Sequence, residues 1–168
     1  MAFMETAAGS LPEAHRAADR PASALEAHLG YWMRLVSNGV SRAFERALQQ
    51  RDISVAEWVV MNQLAAGPGL TPAKLAAAMG MTRGAISKVL DKLDSKKLVS
   101  RSISPLDSRV QLLRLTQRAR RALPQLARIA DDNDGCFFAA LDPDEKVALR
   151  SLLRKVAGAH RITGIPIE

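Results

Sequence analysis

The chain has 168 residues, a formal net charge of +7 and 48% hydrophobic residues, so it is long enough for one domain with a buried core. No apolar run is long enough to span a bilayer, and the first residues lack the basic and apolar segments of a signal peptide. A single cysteine, Cys136, excludes an internal disulfide framework, and three scattered histidines have no metal-ligand spacing. We therefore expect a cytoplasmic protein with no metal, no cofactor and no membrane span.

Positive charge is concentrated in one third of the chain. Residues 71–121 hold 12 Lys/Arg and 3 Asp/Glu, whereas the remainder holds 12 and 14. A block of this kind indicates a polyanionic partner such as double-stranded DNA. A basic face that only confers solubility is the alternative.

The N-terminal third predicts a flexible tail followed by a long helix. Residues 1–22 contain two prolines and no apolar periodicity, which is typical of a loose segment. From Ser23 to about Gln50, apolar residues recur with helical spacing. The stripe comprises Leu25, Leu29, Trp32, Val36, Val40, Ala43 and Ala47.

Three shorter helices follow, each with its own start signal. Ser54 and Glu57 form a capping box for the second helix. Thr71 caps the third, which ends at Gly80, and Thr82 caps the fourth.

A β-hairpin and two further helices complete the predicted chain. The hairpin strands are about Val99–Ile103 and Val110–Leu115. The fifth helix runs from 117 to about 141, with an irregularity or kink at Pro124. The last helix starts at Asp142, which is followed by proline and, at the third helical position, glutamate.

The third and fourth helices with the hairpin make a winged helix-turn-helix. One side of the fourth helix is apolar and is expected to pack on the third; its residues are Ile86, Val89, Leu90 and Leu93, opposite Leu75, Ala76 and Met79. The N-terminal end of such a helix enters the major groove, where Arg and Lys read guanine and Ser reaches base or phosphate. The predicted DNA-binding residues of this helix are Thr82, Arg83, Gly84, Ser87, Lys88 and Lys92.

The hairpin tip carries two further residues of the predicted DNA-binding site, Asp107 and Arg109. Arg109 is expected to enter the neighbouring minor groove, where the potential is strongly negative. Asp107 is expected to constrain the turn and orient Arg109 rather than to touch phosphate. Exposed cations are common, so Lys92, Lys96 and Lys97 are also compatible with a solvated face.

Three segments resemble the multiple-antibiotic-resistance regulator (MarR) family of bacterial transcription factors: "ISVAEWVVMNQLA", "LTPAKLAAAMGMTRGAISKVLDKLDSKKLVSR" and "SPLDSRVQLLRLT". The Asp-x-Arg of the wing and the following "LRLT" are the most specific marks. The resemblance covers about residues 25–157. It implies a mainly α fold with a small β-wing, and a homodimer with one winged helix per subunit on a palindromic site.

The same resemblance implies a domain organisation and a regulatory pocket. Residues 23–168 form a single domain, with the winged helix-turn-helix lobe at 53–116 and dimerisation helices at 23–50 and 117–160. The pocket lies between the dimer helices and the lobe and often takes small aromatic or phenolic acids. Most relatives are repressors that such ligands release.

Three residues are predicted to line that pocket. They are His28, Trp32 and Trp58, the tryptophans as aromatic walls and the histidine as a hydrogen-bond donor to an acid. Core or dimer packing is the alternative for the tryptophans, and a surface or interface position for the histidine. Cys136 is expected to be a small buried hydrophobic residue.

Two positions depart from the family pattern. Lys97 stands where the helix before the wing usually ends in glycine, and Ala119 stands where another glycine is frequent. If the backbone at Lys97 is left-handed, lysine costs about 1 kcal/mol relative to glycine.

Other function classes are less well supported. A winged-helix module that binds protein is disfavoured because the predicted recognition face is basic, and an activator without a small-molecule ligand remains an alternative. We find no paired carboxylates, nucleophile–base set or phosphate-binding glycine loop at useful spacing, so the sequence does not predict an enzyme.

Overall fold

A computed structural model describes residues 24–67, 70–105 and 107–164. The predicted tail at 1–22 lies outside these ranges. The chain divides into two compact units, Met1–Leu35 and Val36–Glu168, which are described separately below.

Six α-helices and one two-stranded antiparallel sheet occur in the described ranges. The helices are α1 (Leu29–Gln49), α2 (Val55–Ala66), α3 (Pro72–Ala78), α4 (Arg83–Ser95), α5 (Gln117–Phe137) and α6 (Pro143–Ala159), and the strands are β1 (Val99–Ile103) and β2 (Gln111–Leu115). This is the predicted mainly α architecture with a β-wing. No helix in the described ranges is both long and apolar enough to cross a membrane.

The described part of the first unit is a short 3-10 helix, Leu25–Ala27, followed by the start of α1. His28 has extended backbone angles, so the α-helix begins at Leu29 and not at Ser23 as predicted. The Trp32 indole N–H donates to the Glu26 carbonyl at 2.8 Å. This hydrogen bond joins the start of α1 to the 3-10 helix, a segment for which the apolar periodicity predicted one continuous α-helix.

Side-chain caps define the starts of the later helices. Ser54 accepts a hydrogen bond from the Glu57 backbone N–H, and the Glu57 carboxylate accepts from the Ser54 N–H, as a capping box requires. Thr71 and Thr82 each accept from the backbone N–H three residues later. Asp142 and Glu145 form a second capping box at α6.

The core of the second unit lies under the helix-turn-helix and the sheet. The apolar side of α4 is buried at Ile86, Leu90 and Leu93, and Leu75 of α3 is buried opposite. Helices α2 and α3 and strand β1 all contact α4. Because three elements hold its apolar side, α4 presents its polar side outward in a defined orientation.

The sheet joins the core at one end only. Val99 pairs with Leu115 and Ile103 with Gln111, and only the end nearest α4 is buried. Leu70 adds an isolated antiparallel bridge to Leu113, with the Leu113 N–H donating to the Leu70 carbonyl at 3.0 Å. The far end therefore projects as a wing.

Helix α5 is shorter than predicted at its C-terminus. It ends at Phe137 rather than near Leu141, and turns carry the chain to Asp142. Asp142 needs extended backbone angles to cap α6, so the helix cannot continue into it. Pro124 lies inside α5, within one continuous helix.

Candidate nucleic-acid interface and adjoining cleft

The N-terminal end of α4 exposes a polar surface. The six residues predicted to contact DNA from this helix are all exposed: Thr82, Arg83, Gly84, Ser87, Lys88 and Lys92. A Cβ added to Gly84 would meet no atom of the chain within 4 Å. The chain's own packing therefore does not require glycine there, and the space beside it is open to a ligand.

The turn between α3 and α4 sets where this surface lies. Gly80 has φ +63°, a left-handed conformation that glycine adopts without steric cost. The Met81 N–H donates to the Ala76 carbonyl at 3.0 Å. The turn is thus closed by backbone contacts, and it delivers Thr82 to its capping position at the start of α4.

The wing tip is organised by Asp107. Its Oδ1 accepts a hydrogen bond of 2.9 Å from the Arg109 backbone N–H, and its carbonyl accepts one of 3.0 Å from the Val110 N–H. The carboxylate thus holds the backbone of the turn, as Asp does in an Asx-turn. The Arg109 side chain is exposed.

An ion pair that the sequence analysis did not anticipate joins the wing to α4. The Arg101 guanidinium on β1 contacts the Asp91 carboxylate. The two residues are ten positions apart, on a helix and the following strand, so only helical and strand phasing together could have suggested it. The contact ties the base of the wing to the exposed side of α4.

The C-terminal end of α4 is held by a buried carboxylate. Lys96 Nζ lies 3.0 Å from Oε1 and 3.1 Å from Oε2 of Glu57, which is 2% exposed. The same ammonium contacts the backbone carbonyl of Asp52. Lys96 is therefore held by an ion pair, and not part of the solvated face with which the sequence was compatible.

Lys97 adopts the left-handed conformation that its position in the family pattern suggested. Its φ is +56°, and its carbonyl accepts a hydrogen bond of 2.8 Å from the Thr116 hydroxyl. Ala119, at the second departure, is fully buried and donates its N–H to the same hydroxyl oxygen.

A cleft of about 590 Å³ lies in the second unit between α1, α2 and α5. Its aromatic wall is Phe44 and Trp58, whose rings meet edge to face with centroids 5.1 Å apart. Three carboxylates also line it: Glu45, Asp131 and Asp134. The volume lies in the range of small-molecule sites.

The predicted ligand-binding residues are distributed over both units. Trp58 lines the cleft. His28 and Trp32 lie in the first unit, both exposed, and the Trp32 ring packs edge to face on Tyr31. Cys136 is exposed rather than buried as predicted, because it faces outward near the end of α5. No group of three or more His, Cys, Asp or Glu within 24–67, 70–105 and 107–164 is placed to hold a metal ion.

Comparison with known proteins assigns the fold to a family. The MarR family model matches residues 51–110, the region of α2 to the wing. A protein of Thauera aromatica named as a transcriptional regulatory protein for the hcr operon is 30% identical over 129 residues, which is 76% of this chain and 78% of that one. The chain belongs to the MarR family.

Two solved MarR-family structures contain DNA. A mutant of Escherichia coli MarR complexed with operator DNA is 29% identical, covers 76% of this chain and 92% of its own, and superposes with a TM-score of 0.68. The transcriptional repressor CouR bound to a 23-mer duplex is 27% identical, covers 79% and 94%, and has a TM-score of 0.72. As a MarR-family member, this chain is a DNA-binding transcriptional regulator and not an enzyme.

Proposed function

We propose that this protein is a ligand-responsive repressor that binds a palindromic operator as a homodimer. The proposal assigns residues 23–168 to one MarR-like domain, with DNA recognition in 53–116 and dimerisation in 23–50 and 117–160. The main support for DNA binding is the polar side of α4, which is exposed because the apolar side of the same helix is buried in the core.

The DNA-binding role of individual residues follows from their placement. Arg83, Ser87 and Lys88 are exposed near the N-terminal end of α4, the end that enters the major groove in a helix-turn-helix. Arg109 is exposed at the wing tip, where an arginine can occupy the minor groove. Thr82 lies at the helix N-terminus, where free N–H groups favour phosphate.

Unpartnered apolar surface supports dimerisation. In the second unit, helix α6 has no buried residue, and its exposed apolar side chains are Val147, Leu152, Leu153 and Val156. In the first unit, Leu29 is 81% exposed, and Met33 and Leu35 are also exposed. Exposed apolar side chains of this size in each unit are typical of surfaces that bind another protein, and a second copy of the chain would cover them.

Regulation would act through the spacing of the two recognition helices. Half-sites on one face of the duplex are about 34–36 Å apart, so a small displacement of one lobe prevents simultaneous contact. A ligand with a coupling free energy of about 1–3 kcal/mol would weaken DNA binding about 5–150-fold. The cleft borders α2, and α2 packs on α4, so a ligand in the cleft would act on the recognition helix α4 through α2. The family resemblance suggests small aromatic or phenolic acids as effectors.

The first experiment measures binding to DNA from upstream of the protein's own gene at several salt concentrations. We expect tight binding whose affinity falls steeply with salt, as phosphate contacts require.

Leu152→Glu, which places a charge on the exposed apolar side of α6, is expected to raise the dimer dissociation constant and weaken DNA binding together. Ser151→Glu, at an exposed polar position next to it, is the control. Equal affinity for unrelated DNA, or a monomer that binds as tightly as the wild type, would contradict the proposal.

A further inference from the structure

The charges that line the α1–α2–α5 cleft all have the same sign. Glu45 comes from α1, and Asp131 and Asp134 come from α5, while the other lining residues are uncharged. The protein as a whole carries 24 Lys/Arg against 17 Asp/Glu. An acid-only cleft in a basic protein is therefore a local departure from the overall charge.

None of these carboxylates is paired with another side chain in residues 24–67, 70–105 and 107–164. The ion pairs of the described residues involve Asp52, Glu57 and Asp91, and the side-chain hydrogen bonds of that part of the chain do not engage Glu45, Asp131 or Asp134. A cleft lined by charges of one sign raises the local concentration of ions of the opposite sign. The cleft therefore attracts cations and repels anions.

The other lining residues suit an organic ion better than a metal. Phe44 and Trp58 offer aromatic surface, and Val40 and Val55 add apolar surface. Aromatic faces attract organic cations through the ring quadrupole. No group of three or more acidic, Cys or His residues in the described ranges could hold a metal ion.

From this combination we propose that the cleft binds an organic cation with an aromatic or apolar body, and that the effector is cationic rather than an aromatic acid. This inference rests on the proposed ligand responsiveness and specifies its chemistry. The carboxylates set the sign of the charge, and the Phe44–Trp58 pair accepts the apolar body.

The test uses two ions of the same shape and opposite charge. Equilibrium dialysis of the full chain against tetraphenylphosphonium and tetraphenylborate, in sodium buffer, compares charge at constant apolar surface, and benzoate represents the aromatic acids. We expect tetraphenylphosphonium to bind at least tenfold more tightly than tetraphenylborate or benzoate. The triple variant Glu45→Gln, Asp131→Asn, Asp134→Asn should lose at least tenfold in affinity for the cation.

A neighbouring carboxylate provides the matched control. Asp132 is exposed in the same acidic run of α5 but does not line the cleft, so Asp132→Asn should leave cation binding within twofold. Tighter binding of benzoate or tetraphenylborate, or an equal loss in Asp132→Asn and the triple variant, would overturn the inference. DNA titrations of each variant without ligand keep the two proposals separate, because DNA binding that persists while cation binding fails rejects only the cationic effector.

Discussion

Lys96 and Glu57, 39 residues apart in the chain, form an ion pair that connects the C-terminal end of α4 to the start of α2. The ammonium lies within 3.1 Å of both carboxylate oxygens. Glu57 also accepts the Ser54 backbone N–H at 2.7 Å as part of its capping box. One buried carboxylate thus fixes a helix start and the orientation of α4 at the same time.

Removing the ammonium should destabilise the protein strongly. Lys96→Met leaves the buried Glu57 carboxylate without its counter-ion, and we expect a loss of about 2–3 kcal/mol in the free energy of unfolding. The value is below that for fully buried pairs because the Lys96 side chain remains 24% exposed. Urea denaturation measures it. In the double variant with Glu57→Gln the loss should be smaller than the sum of the two single losses, whereas additive losses would mean that the pair does not interact.

The wing should contribute to DNA affinity without contributing to the fold. Arg109 is exposed at a turn that Asp107 holds through the Arg109 backbone N–H, so Arg109→Ala removes the side chain beyond Cβ and leaves this contact in place. We expect DNA binding to weaken about tenfold and the salt slope to fall by about one, with unfolding unchanged. Arg51→Ala removes the same charge from an exposed site that lies in neither the proposed dimerisation helices nor the proposed DNA-binding lobe. If both variants weaken binding equally, net charge and not the wing accounts for the effect.

A substitution at Gly84 is expected to weaken DNA binding without destabilising the fold. A Cβ added there meets no atom of the protein within 4 Å, and most residues favour a helix over glycine by a few tenths of a kcal/mol or more. Gly84→Leu is therefore expected to keep or slightly raise the melting temperature and to reduce operator affinity at least tenfold, because the side chain occupies the space that DNA needs. Unchanged affinity would show that DNA does not approach this part of α4.

Lys97 is a site where a single substitution should stabilise the protein. Its backbone is left-handed at φ +56°, which costs a residue with a Cβ about 1–2 kcal/mol, and glycine recovers part of this at the expense of greater entropy in the unfolded chain. We expect Lys97→Gly to raise the free energy of unfolding by about 0.5–1 kcal/mol in urea denaturation. Lys92→Gly, in right-handed helix five residues earlier within α4, should lower it by about 1 kcal/mol. A loss at both positions would argue against strain at Lys97.

Local sequence signals were sufficient to predict most of the elements. A capping side chain needs only a hydrogen-bond acceptor three residues before a free N–H, so Ser54, Thr71, Thr82 and Asp142 mark helix starts without reference to the rest of the fold. The apolar side of α4 and the pairing of the wing strands likewise follow from periodicities of 3.6 and 2 residues. Where the signal is weaker, as at Ser23, an apolar stripe alone placed the start of α1 too early.

Tertiary structure alone decided which charged residues are held and which are free. Sequence treats Lys96 and Lys92 as similar exposed cations, yet the first binds a buried carboxylate and the second is exposed on α4. The acidic cleft is equally invisible in the sequence, because Glu45 and Asp131 lie 86 positions apart and converge only when α1 and α5 pack around α2. Charge acts through space, and the distances and dielectric that determine its effect arise only when the chain folds.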